Sequence, residues 1–178
     1  MKFINICSGP RVSLKKTSYD SANDEHMTDS KLIVVDFDKT KTSYLNNLQH
    51  SEEDAKSVDA LAKGKDGILY MIEFKNGNCR KEAEDIRSKV KDSVIILCDI
   101  CNKKLEDARN EIVFVLVVNW DHAKLTSSDR IAITKANKSN KTSALLGLDK
   151  VAGLFVKKAL IFDKGEFDRK LIPKLANI

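Results

Sequence analysis

The sequence predicts one α/β domain in which helices flank a mixed central β-sheet. Three observations carry that expectation. Short β-branched apolar runs recur along the chain, most clearly in YMIEFKNG (70–77) and EIVFVLVVNW (111–120). Between Cys79 and about Leu105 the apolar period changes to steps of three and four residues, the spacing of one helical face. Strands and helices then alternate to the end, as layered α/β domains do.

The elements follow in order. MKFINICSGP (1–10) has one lysine and too short an apolar segment for a secretory signal, so the protein is expected in the cytoplasm of its producer. SYDSANDEHMTDS (18–30) is polar and turn-rich, a loop or a short irregular helix. KLIVVDFDK (31–39) reads as a strand, and 43–55 as a short helix or as a strand and a loop. SVDALA (57–62) and ILYMIEF (68–74), separated by KGKDG, have the chemistry of a β-hairpin. In the long helix, Ala83, Ile86, Val90, Val94, Leu97 and Cys101 form the apolar stripe, with Asp85 and Lys89 an i,i+4 pair on its outer side. Residues 111–120 are expected as a central strand covered on both faces. Residues 126–143 end in lysine-rich TKANKSNKTS and are expected as a mobile surface loop. A helix near 144–153, a strand at 154–162 and a helix at 166–175 close the chain, giving a C-terminal helix-strand-helix over 144–176.

Composition narrows the classes. With 42% hydrophobic and 32% charged residues the chain is not of the disordered type, and its length suits a single domain spanning 1–178. No apolar run approaches the roughly 20 residues needed to span a bilayer. The net charge of +5 leans toward an anionic partner. Cys7, Cys79, Cys98 and Cys101 lack the spacing of a disulfide framework, and the C-x-x-C of Cys98 and Cys101 has no second ligand pair for zinc. Reduced thiols packed near a helix are expected instead. His26, His50 and His122 show no ligand spacing, and Trp120 reads as an anchor at the edge of the core.

The hairpin raises the chemical question. Side chains alternate faces along a strand, so Glu73 and Lys75 point one way while Ile72 and Phe74 point the other. If Val58, Ala60, Ile72 and Phe74 share one core, a three-residue connection, Lys65-Asp66-Gly67, sets Asp59 directly across from Glu73. A two-residue connection would put them on opposite faces. An aspartate opposite a glutamate opposes stability, and a divalent cation between them removes the conflict. Paired carboxylates suit Mg²⁺, which keeps several waters and accepts phosphate oxygens. Lys75 could then orient or help deprotonate a metal-bound water and stabilise charge on phosphorus.

In Asp59, Glu73-Phe74-Lys75, the helix from residue 80 and the strand from 111, the chain resembles the PD-(D/E)XK, or restriction-endonuclease-like, nuclease superfamily. The resemblance covers about residues 31–120, and in texture extends to small divergent members among bacterial defence and toxin proteins. It implies a restriction-endonuclease-like core and a phosphodiester hydrolase using Mg²⁺ or Mn²⁺. Asp59 and Glu73 would be metal ligands, and Lys75 would complete the catalytic set. DNA is expected ahead of RNA as substrate, and cutting both strands of a duplex would favour a homodimer. The chain departs from the family pattern in having Val58, not proline, before Asp59. Glu25, Glu52 and Glu53 are candidates for the family's additional helix glutamate, and Arg87 and Lys91 for phosphate contacts. The alternative is a catalytically degenerate module of the same fold that binds nucleic acid or a protein partner.

Overall fold

The structure, a computed structural model, describes residues 9–178; Cys7 and residues 1–8 of the opening segment lie outside them. Strand β1 (Arg11–Ser13) leads through a single helical turn, α1 (Leu14–Thr17), to the two-residue strands β2 (Tyr19–Asp20) and β3 (Glu25–His26). The stretch expected as a loop or irregular helix is therefore a small antiparallel hairpin. Strand β4 (Ile33–Asp36) is shorter than KLIVVDFDK suggests. Asp36 turns its carboxylate to accept the Lys39 backbone N–H at 3.1 Å, capping helix α2 (Phe37–Asn47) and ending the strand.

The predicted hairpin is β5 (Ala60–Gly64) and β6 (Leu69–Lys75). The long helix is α3 (Ala83–Ile100), followed by α4 (Leu105–Glu111) and strand β7 (Ile112–Val118). Among the described residues seven strands form the main sheet, in the order β1-β4-β5-β6-β7, then β8 (Lys158–Asp163), with β9 (Leu175–Ala176) pairing to β5. Pairings from β1 to β6 are antiparallel and those from β6 to β8 parallel, so the sheet is mixed. Every residue of β7 is buried, as its unbroken apolar run implies.

Alternation divides the interior into two cores. Leu61, Met71, Phe114 and Leu116 meet Ile86, Val90, Val94 and Leu97 of α3 on one face. On the other, Ala60, Ala62, Tyr70, Ile72 and Val115 meet Phe167 of helix α6 (Lys164–Lys170). Val58 departs from expectation, because it packs in the α3 core rather than with Ala60. It precedes the paired part of β5, and its N–H donates to Ser93 Oγ at 2.9 Å, drawing it toward α3.

Residues 126–143 are not a loop. Ser127–Lys138 form helix α5, started by a Thr126–Asp129 capping box and anchored by buried Ile133. The expected helix near 144–153 is a 3₁₀ segment, Leu145–Lys150, broken where Leu146 and Gly147 take φ of 60° and 66°. Among the described residues no helix is long and apolar enough to cross a membrane.

Candidate active site

The turn between β5 and β6 decides what the site can be. Gly64 N–H donates to Ile68 O at 2.7 Å, leaving Lys65, Asp66 and Gly67 as the connection. Gly67 takes φ of 83°, a region open to glycine, and Asp66 Oδ1 accepts the Ile68 N–H at 3.0 Å. The ladder runs through Lys63↔Leu69, Ala62↔Tyr70, Leu61↔Met71 and Ala60↔Ile72. One step further along the same register sets Asp59 opposite Glu73. Asp59 sits in a bend just outside the strand, and its Oδ2 accepts the Phe74 N–H at 2.6 Å. That charge-assisted bond fixes the carboxylate against β6.

Glu73 projects to the α3 face and is fully buried. Lys89 Nζ reaches its Oε1 at 2.8 Å and Lys75 Nζ the same oxygen at 3.5 Å. Its second oxygen, Oε2, is buried without a hydrogen-bond partner among the described residues. Lys75 also meets Glu82 at 2.6 Å and Asp85 at 3.8 Å, and Asp85 is joined to Lys56 at 2.6 Å. At the start of α2, the exposed Asp38 accepts from Ser57 Oγ at 2.5 Å. Asp38, Asp59, Glu73, Glu82 and Asp85 thus stand among three lysines, Lys56, Lys75 and Lys89.

The titration behaviour follows from this crowding. Burial, then the Glu73 charge, pushes Asp59 well above the usual aspartate range against the pull of Lys89 and the Phe74 N–H. Burial also raises Glu73, with Lys89 and Lys75 opposing. For both Lys75 and Lys89 burial favours the neutral amine, but the surrounding carboxylates, Glu73 foremost, outweigh it and hold the ammonium above its ordinary pKa. Asp59, Lys75, Asn76 and Glu82 line a cleft of about 310 Å³ whose far wall is the β2–β3 hairpin, including Tyr19, Asp20 and Asn23. That hairpin is tied down by Glu25, which takes Lys164 Nζ at 2.5 Å and Asn76 Nδ2 at 2.9 Å.

The structure brings Asp59, Glu73 and Lys75 together and leaves Arg87 and Lys91 apart from them. Two residues along an α-helix is a rotation of about 200°, so with Lys89 directed at Glu73 the other two face elsewhere. Arg87 Nη1 donates to Leu146 O at 2.6 Å and packs against Gly147, where an added Cβ would lie 3.0 Å from that nitrogen. This is a tether for the 3₁₀ segment. Lys91 is exposed. The candidate helix glutamates also lie elsewhere. Glu25 holds the hairpin, while Glu52 and Glu53 lie in an exposed 3₁₀ turn where Glu52 O accepts from Lys41. The carboxylate that α2 does bring near the pair is Asp38.

The Asp85–Lys89 pair corrects a second expectation, because both side chains turn to the site and bind other partners. Lys89, Asp38 and Glu82 are not among the site residues that the sequence predicts. A signal existed for Lys89: three residues from Ile86, it lies within roughly 60° of the apolar stripe.

The remaining polar candidates are engaged locally. His50 pairs with Asp54 at 3.0 Å, and His122 Nδ1 lies 2.9 Å from Asn76 Oδ1. Trp120 packs on the α3 core with the Arg130 guanidinium 5.2 Å from its ring. Cys98 is a buried thiol that desolvation pushes up to about 11. Among the described residues no three His, Cys, Asp or Glu side chains converge as metal ligands. Any cation here would rest on the Asp59–Glu73 pair and on ligands from outside the protein.

No protein-family model matches the chain, and no curated protein or solved structure matches it at a significant level.

Proposed function

We propose that the protein is a divalent-metal-dependent nuclease of the PD-(D/E)XK type, hydrolysing phosphodiester bonds of nucleic acid, DNA ahead of RNA, in the cytoplasm. The observation that carries this reading is the hairpin register. It puts two carboxylates with raised pKa values across from one another, with Lys75 on the same face at the mouth of a cleft. The donor set fits a hard cation in one respect above others, since Glu73 Oε2 is a buried acceptor with no donor among the described residues.

Bound Mg²⁺ or Mn²⁺ would supply positive charge to a phosphate oxygen and acidify a water. Asp59 and Glu73 would hold it, with water and phosphate as remaining ligands. Lys75, its side chain 15% exposed, would leave Glu82 to donate to the attacking water or to a phosphoryl oxygen. Purified protein is incubated with plasmid, linear duplex, single-stranded DNA and tRNA, with and without Mg²⁺ or Mn²⁺. Asp59→Ala and Lys75→Ala are expected to abolish metal-dependent cleavage while the circular dichroism spectrum is kept. Full activity in either variant refutes the assignment.

One observation favours the second reading, a nuclease-fold module that binds without cutting. Glu73 already has two lysines within 3.5 Å, so its charge is compensated without a cation. Calorimetric titration separates the two. Mg²⁺ or Mn²⁺ binding lost in Asp59→Ala supports the hydrolase, whereas no metal binding together with salt-sensitive nucleic-acid binding selects the module.

A further inference from the structure

The charge of this chain is unevenly placed. Residues 130–178 hold eleven of its 31 lysines and arginines but only four of its 26 acidic residues, a net +7, while the first 129 residues net −2. Within that basic third, α5, β8 and α6 enclose a cavity of about 560 Å³, within the size range of small-ligand sites. It lies on the sheet face opposite Glu73, because Tyr70, Leu160 and Phe162 on its floor belong to the α6-side core.

The cavity wall has three chemistries. Tyr70, Leu160, Phe162 and Leu171 make an apolar floor. Lys138, Lys158, Lys170 and Lys174 stand around it. Lys170 is neutralised by Glu166 at 2.5 Å, and Lys158 is held by Asn140. Lys138 and Lys174 are exposed, with no carboxylate partner among the described residues. Burial and the neighbouring charges of Lys157 and Lys174 hold Lys158 below the ordinary lysine pKa, although Asp66 opposes them. Positive charge is therefore crowded here. The third chemistry is the Glu166 carboxylate, which lines the cavity with its side chain 15% exposed and whose Oε2 has no hydrogen-bond partner among the described residues.

A ligand that satisfies all three must combine a flat apolar body, an N–H donor and a negative group. A fatty acid or a phospholipid tail would cover the floor and meet the lysines, yet leave Glu166 Oε2 unsatisfied. Inorganic phosphate would leave the floor bare. We propose that this cavity binds a nucleotide unit, with an amino-bearing base over the Tyr70–Phe162 floor and donating to Glu166, and its phosphate met by Lys138, Lys158 and Lys174. The unit can come from a free nucleotide or from the end of a strand. The proposal does not depend on the Asp59–Glu73 pair doing chemistry.

The test is calorimetry on the full chain in EDTA, which removes metal-dependent binding, with AMP, purine riboside monophosphate, inorganic phosphate and a short single-stranded adenine oligonucleotide. AMP should bind saturably at one per chain. Purine riboside monophosphate, whose base has no N–H donor, and phosphate should each bind roughly tenfold or more weakly. Lys138→Ala/Lys174→Ala, both at exposed positions, should weaken AMP by roughly tenfold, and Glu166→Met, which removes the acceptor, should remove most of the difference between AMP and purine riboside monophosphate. The same affinities should hold in Asp59→Ala, so that failure of the nuclease reading leaves this result untouched. The oligonucleotide arm separates the sources: AMP competing it off the cavity shows that a strand end uses the same site, and its failure to bind leaves a free-nucleotide site. No saturable AMP binding, phosphate binding as tightly as AMP, unchanged affinity in the lysine variant, or a strand that binds where AMP does not would each overturn the proposal.

Discussion

Replacing Lys89 with methionine keeps the aliphatic stem and removes the charge, so it isolates what holds Glu73 in the core. Glu73 is fully buried, with Lys89 at 2.8 Å and Lys75 at 3.5 Å. At an effective dielectric constant near 20 these separations correspond to Coulomb attractions of roughly 6 and 5 kcal/mol before desolvation is charged against them. Lys89→Met therefore removes slightly more than half of the attraction. Stranding one member of a buried pair costs about 3–5 kcal/mol. With Lys75 still present, the expected loss lies at the lower end, about 3 kcal/mol at pH 8. For a chain of this length that is a fall in Tm of roughly 6–12 °C.

The sign of the pH dependence follows from the same geometry. Glu73 already sits above the ordinary glutamate range, and loss of the cation raises it further. In the variant the folded state takes up a proton at a higher pH than in the wild type. The penalty is therefore largest above the variant's Glu73 pKa and shrinks as pH falls toward the wild-type value. Urea denaturation of both proteins at pH 8, 6.5 and 5, followed by circular dichroism, reads this directly. A loss under about 1 kcal/mol, or one constant with pH, refutes the reasoning. So does the same loss in a Glu73→Gln background, which would put the effect in the packing of the stem.

Three further outcomes are expected. Asp59→Asn keeps an oxygen for the Phe74 N–H but removes a charge whose folded pKa is raised; wild-type stability rises as pH falls through that pKa, so the variant should gain about 1 kcal/mol at pH 8 and nothing near pH 4, with any Mg²⁺ binding lost, as thermal melts and calorimetry would show. Arg87→Met should cost about 1–3 kcal/mol by freeing the Leu146 carbonyl, and leave nucleic-acid affinity unchanged in a filter-binding assay. Leu116→Ala, at a fully buried position of β7, should cost about 2–5 kcal/mol in urea denaturation through the cavity it opens.

The parts of this molecule that sequence made legible are those set by short-range rules. KGKDG restricts the turn, alternation then fixes which residues face each other, and Asp59 falls opposite Glu73 without any knowledge of the rest of the chain. The buried strand and the stripe of α3 are legible for the same reason. Val58 departs from alternation because it precedes the ladder, where Ser93 holds the backbone instead. The α5 start signal, Thr126 with Asp129, is present in the sequence, but the polar, lysine-rich run that follows it carries the pattern of a loop. The Glu25–Lys164 tie spans 139 residues, and no local pattern encodes it.

Lys89 is the instructive case, because its direction could have been deduced. A glutamate on the α3 face of β6 is buried whatever else happens, since α3 must cover Met71 and Leu116 beside it. A buried carboxylate requires a cation within reach. Lys75 lies two residues along the same strand and is drawn outward to Glu82, so the covering helix had to supply another. Of the lysines on α3, Lys89 alone lies within about 60° of Ile86, whereas Lys91 points roughly 140° away from it. Charges flanking an apolar stripe are better assigned by what the facing strand needs than by their nearest neighbour on the helix, and that rule turns the Asp85–Lys89 surface pair into half of the site.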